Sequence, residues 1–98
     1  MNRDLTPTEG ARLLLERTGD GGEYRAAIYT PAATYEGTAT LHEDGGADVA
    51  IAGAPDELVD ALRMLAKLTA RGAAARRADG MPVWPARVLR WRGPGRGG

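Results

Sequence analysis

Residues that could do chemistry in this chain are few, and they gather in three places. The first surrounds His42, the only histidine, which stands close to Glu43, Asp44 and Asp48. An imidazole beside carboxylates is a weak donor set for a divalent metal, and imidazole is the one side chain whose ordinary pKa lies near neutrality. All these groups, however, flank Glu43-Asp44-Gly45-Gly46, whose Asp-Gly step is a strong hairpin-turn signal. His42 is therefore read as an exposed structural histidine, and no metal ligands are expected. The chain contains no serine and no cysteine. Neither a Ser-His-Asp nor a Cys-His device can be assembled, and disulfides and thiolate zinc sites are excluded. The second place is Gly19-Asp20-Gly21-Gly22, which lacks the Lys-Ser/Thr of a phosphate loop and reads as a helix cap and link. No catalytic residue and no cofactor is expected, and the chain reads as a non-enzyme.

The third place is the C-terminal stretch. Trp84, Arg87, Arg90, Trp91 and Arg92 alternate cationic forks with large aromatic rings. Arginine and tryptophan are typical anchors of protein interfaces, and the same pair can meet phosphates and stack on bases. Arg76, Arg77 and Arg96 extend the basic character on either side. Charge is unevenly laid out. Residues 1–60 hold twelve acids and four bases, net −8, while residues 61–98 hold nine bases and only Asp79, net +8, in a chain of zero net charge. That split favours Trp84, Val88 and Trp91 covering the chain's own sheet while the arginines pair with its acidic surface, or the same docking on a second copy or another protein, over binding nucleic acid, because a nucleic-acid binder is more often basic overall.

The elements that must position these residues follow from patterning. Thr6-Pro7-Thr8-Glu9 carries a cap, a first-turn proline and a capping-box acid. With Ala11, Leu14, Leu15 and Thr18 on one face, it predicts a helix over about residues 7–18. Glu23 to Thr30 predicts a strand and Thr30-Pro31-Ala32-Ala33 a turn. Residues 34–41 alternate most clearly, with Tyr35, Gly37, Ala39 and Leu41 on the apolar side. A third strand over Ala47–Ala52 completes an antiparallel meander. Pro55-Asp56-Glu57 starts a second helix with acids in its first turn. Its inward stripe is Leu58, Ala61, Leu62, Leu65, Leu68 and Thr69, and it continues past Gly72 to Gly80, because alanine and arginine are strong helix formers.

The expectation is an α+β domain over residues 1–80, a three-stranded antiparallel sheet packed on two helices in the order α-β-β-β-α. An extended arm over 81–98, disordered from about 93, is free to add a strand. That order resembles double-stranded-RNA-binding domains in topology alone, over residues 6–71. Those domains carry lysines where Asp56 and Glu57 stand here, so the resemblance is set aside.

In 98 residues, 43% hydrophobic but rich in alanine and lacking phenylalanine, large core formers are scarce. A homodimer is one way to share the core. Lys67 is the only lysine among thirteen basic residues, a bacterial-type composition typical of GC-rich coding. No stretch approaches the ~18 apolar residues of a membrane span and the N-terminus does not resemble a signal peptide, so no membrane association and a cytoplasmic location are expected. Function is accordingly read as a protein-interaction or regulatory module, with a nucleic-acid-binding accessory as the alternative.

Overall fold

Leu13-Leu14-Leu15 satisfies a helical stripe, yet it builds a strand. In the computed structural model, which describes residues 9–92, β1 is Ala11–Arg17, β2 Glu23–Tyr29, β3 Thr34–Leu41 and β4 Ala47–Ile51. A helical rod follows, α1 Asp56–Arg71 and α2 Ala73–Ala78, and then β5 Arg87–Arg92. All strand pairs are antiparallel, in the order β4-β3-β2-β1-β5. The expected three-stranded sheet on two helices is thus corrected to a five-stranded antiparallel sheet with one helical run of 23 residues.

Two facts account for the difference. First, β1 lies between β2 and β5, and its leucine run is buried on both faces. Leu13 and Leu15 point into the main core, while Leu14 joins Ala27 and Tyr29 in a second, smaller cluster on the opposite side. A strand buried on both faces reads as a continuous apolar run, which periodicity cannot separate from a helix. The capping signals at Thr6, Pro7 and Thr8, like the expected disorder from residue 93, lie outside the described residues. Gly19–Gly22, read as a helix cap, instead falls in the connection between β1 and β2, closed by the Thr18 N–H donating to the Glu23 carbonyl at 2.9 Å. Second, the stretch left free to add a strand does so on the N-terminal side of the sheet. Leu14 pairs with Leu89 and Arg12 with Trp91.

The helix forms where its signals place it. Pro55 precedes it, and Asp56 and Glu57 occupy its first turn. Gly72 keeps right-handed helical torsions (φ −80°, ψ −5°), so α2 continues the rod beyond α1. The rod stops at Gly80, whose φ of +72° suits a residue without a Cβ. There the Gly80 N–H donates to the Arg77 carbonyl and the Met81 N–H to the Arg76 carbonyl, the paired bonds of a Schellman ending. α1 packs over β4, β3 and β1, burying Leu62, Leu65, Ala66 and Ala70 against the sheet. Leu68 was expected in that stripe but is 53% exposed. The apolar arc of α1 is wider than the sheet surface it covers.

Buried and exposed leucines of α1 therefore separate energetically. Leu62→Ala should cost about 2–5 kcal/mol, whereas Leu68→Ala should stay within about 0.5 kcal/mol. Urea denaturation of the two variants checks this, and equal losses would mean that Leu68 is packed.

A candidate docking edge

Between the end of the rod and β5, residues 83–86 are held by their carbonyls. The Arg76 Nε donates to the Val83 carbonyl at 2.6 Å, and the Arg17 Nη1 to the Trp84 carbonyl at 2.6 Å. The Tyr24 hydroxyl donates to the Pro85 carbonyl at 2.6 Å, and the Arg17 backbone N–H to the Ala86 carbonyl at 2.9 Å. Four consecutive acceptors are thus satisfied from β1, β2 and the rod. Pro82 and Pro85 have no N–H to offer a ladder, so side-chain donors take the place of strand pairing. Trp84, 7% exposed, sits in the main core.

Arg76 also donates Nη2 to the Thr69 carbonyl, one turn before Gly72. Its guanidinium lies in the space a side chain at position 72 would enter. A Cβ there would approach the Arg76 Nη1 at 2.5 Å. Burial pushes the Tyr24 hydroxyl above its ordinary pKa, against the opposing pull of Arg17 and Arg76.

These contacts deliver β5 to β1 in fixed register, with no described residue paired to its other edge. Among the described residues β5 pairs with β1 alone. Leu13 opposite Arg90 and Leu15 opposite Val88 set Val88, Arg90 and Arg92 on the helix-covered side of the sheet, and Arg87, Leu89 and Trp91 on the other. α1 does not reach over this ledge. Leu13, Ala61, Met64, Leu65, Leu68, Arg90, Trp91 and Arg92 line an open groove of about 390 Å³ between α1 and β5. Met64 is 54% exposed and Trp91 49%, and the Trp91 indole N–H reaches the Glu9 carbonyl at 3.4 Å.

Eight of the ten described arginines divide into three kinds. Arg17 and Arg76 serve backbone carbonyls. Arg25 bridges Glu16 at 2.9 Å and Glu36 at 3.4 Å, Arg63 pairs with Asp60, and Arg77 meets Glu43 at 2.7 Å. Arg87, Arg90 and Arg92 form no ion pair and no side-chain hydrogen bond among the described residues. The structure therefore brings Arg87, Arg90, Trp91 and Arg92 together on one strand and separates Trp84 from them. Sequence reasoning missed Met64 as part of this surface and placed Leu68 in the core. The signal was present in the width of the apolar arc, since Ala61, Met64, Leu65 and Leu68 form its shoulder at helical spacing.

Elsewhere the surface offers little chemistry. The His42 Nε2 lies 2.9 Å from Asp48 Oδ2, across an exposed hairpin end. Among the described residues no three His, Cys, Asp or Glu side chains converge as a metal site would require. No described helix is long and apolar enough to cross a membrane. Compared with known proteins, the chain matches no family model, no curated protein and no solved structure.

The Gly72–Arg76 arrangement sets a double-mutant cycle. Gly72→Ala gains about 0.8–1 kcal/mol of helix propensity but displaces Arg76, whose charged hydrogen bonds are worth about 1.5–3 kcal/mol. Gly72→Ala alone should therefore destabilise the chain, yet stabilise it in an Arg76→Ala background. Thermal denaturation of the four chains decides it, and the same sign in both backgrounds would remove Arg76 from its structural role. Tyr24 gives a second test. The stability contributed by its neutral phenol is complete below the ordinary value of 10.0 and is lost as pH rises through the higher folded value. Tyr24→Phe should flatten that alkaline loss while lowering stability at pH 7 by about 0.5–1.5 kcal/mol.

Proposed function

We propose that this chain is a non-enzymatic protein-interaction module whose docking face is the open edge of β5 with the neighbouring shoulder of α1. The observation that carries this reading is the coincidence, along one edge of the sheet, of three arginines without a partner among the described residues, an exposed tryptophan and, on the adjoining shoulder of α1, two exposed apolar side chains. A lone exposed apolar residue needs no explanation, whereas a groove rimmed by arginine and tryptophan has the composition of an interface core. Most other arginines have internal partners, so the cations left over on β5 are available to something outside the fold. The partner is another protein or a second copy of the chain.

The same arginines support a second reading, a nucleic-acid accessory, with Trp91 as the stacking ring. Burial of Trp84 leaves that reading one aromatic platform instead of two. Acids also crowd the far edge, where Glu43, Asp44 and Asp48 flank β4.

Truncation after Gly80 is a poor test, since it would remove Trp84 from the core together with β5. A photo-cross-linking residue in place of Leu89 or Met64, with Thr38 as control, leaves the fold intact. Protein adducts of defined mass should form in the native cell from the first two positions and not from Thr38. An Arg90→Glu/Arg92→Glu variant should lose them. Nuclease-sensitive adducts would favour the second reading, as would in vitro nucleic-acid affinity whose salt dependence flattens by about 2–3 units when the three arginines are replaced. Absence of adducts from Leu89 and Met64 would end both.

A further inference from the structure

We infer that the open edge of β5 takes up an extended, acidic segment of another protein as an added antiparallel strand, an inference that rests on the β5 face being a protein-docking surface. An edge strand presents a row of unpaired N–H and C=O groups, which is a template for another strand. The sheet is antiparallel throughout, and antiparallel pairing is the slightly more stable kind.

The register with β1 dictates what that strand must carry. Directly opposed side chains share a face of the sheet. Residues opposite Arg90 and Arg92 meet guanidinium groups on the helix side, and residues opposite Leu89 and Trp91 meet apolar surface on the other side. Arg87, on the Trp91 side, takes a further acid. Read in the antiparallel direction from the position facing Arg92, the complementary pattern is acid, apolar, acid, apolar, apolar, acid. Met64 and Leu68 flank the Arg90 and Arg92 side of the groove. They exclude water from the ion pairs formed there, which strengthens pairs that would be weak at an open surface.

A second copy of β5 fits this edge poorly. Self-pairing would bring two sets of uncompensated guanidinium groups along one seam, and charges on an edge strand are a known device against such pairing. The three arginines thus reject an identical strand and select an acidic one, so that attraction and exclusion come from the same residues.

The probe is a fluorescent peptide containing Asp-Val-Glu-Ile-Val-Glu, titrated with the full chain and followed by anisotropy. Two further peptides carry backbone N-methyl groups on alternate residues, one set in each phase. Strand addition uses only the N–H groups on one edge of the peptide. One N-methylated peptide should therefore lose about tenfold or more in affinity while the other binds like the parent. Arg90→Glu/Arg92→Glu should lose binding by a similar factor, with an unchanged denaturation midpoint, and regain it for a peptide with lysine in place of the two acids that face positions 90 and 92. Equal binding by both N-methylated peptides would reduce the contact to charge attraction and overturn the inference. Binding of a single-stranded oligonucleotide with no binding of the peptide would overturn it too. If no peptide binds while Leu89 still yields protein adducts, docking stands and strand addition falls. Failure of both removes the interface itself.

Discussion

The fold depends on the capture of residues 83–86 by donors from three separate elements. Arg76 on the rod, Arg17 at the end of β1 and Tyr24 on β2 satisfy carbonyls in a segment that Pro85, and Pro82 just before it, keep from pairing as a strand. Without those donors, several acceptors would be buried or half-buried with no partner, a cost of about 1–3 kcal/mol each. With them, Trp84 is inserted into the core and the chain is aimed back along β1. The last strand therefore adds to the edge beside the first, and β1 becomes an interior strand whose leucine run is buried on both faces. A chain with no phenylalanine obtains its second apolar cluster, Leu14 with Ala27 and Tyr29, from the same arrangement.

The charge asymmetry of the sequence becomes a spatial one by this route. Acids of the hairpin and helix start sit around β4 at one edge of the sheet, and bases of the C-terminal third arrive on β5 at the other. Some of the opposite charges meet, as Arg77 does with Glu43. Exposed pairs of this kind contribute little, typically 0.2–1 kcal/mol, so they do not explain why so many arginines are present. The firmer roles are at the two ends of the exposure scale: arginines that serve backbone carbonyls inside, and arginines on β5 that have no partner among the described residues.

The two tryptophans show how one residue type divides between these roles. Both lie in the same short stretch, between prolines and arginines, and composition gives them equal standing. Trp84 precedes Pro85 in the captured segment and is enclosed by the sheet and the rod. Trp91 is inside the β5 ladder, on the face away from α1, at the rim of the sheet. Capture of the backbone at 83–86 decides which ring is structural and which remains available to a partner.

Much was legible in the residues alone. The strands from Glu23, from Thr34 and from Ala47, the hairpin at Glu43–Gly46, the helix start at Pro55 and its continuation through Gly72 all follow from alternation, turn chemistry and propensity. These are local forces between residues close in the chain. The absence of serine and cysteine likewise excluded two families of catalytic device without any structure. What only the tertiary structure decided were the long-range matters. Leu13-Leu14-Leu15 is compatible with a helix face or with a strand buried on both sides, and the arrival of β5 more than seventy residues later selects the strand. Arg17 and Arg76 look like solvated cations until the carbonyls of Trp84 and Val83 are placed beside them. Leu68 reads as core by spacing, and its exposure depends on how far the sheet extends beneath α1. In each case the side chain has two acceptable surroundings, and which of them it meets is set by a partner distant in sequence, whose position no local pattern encodes.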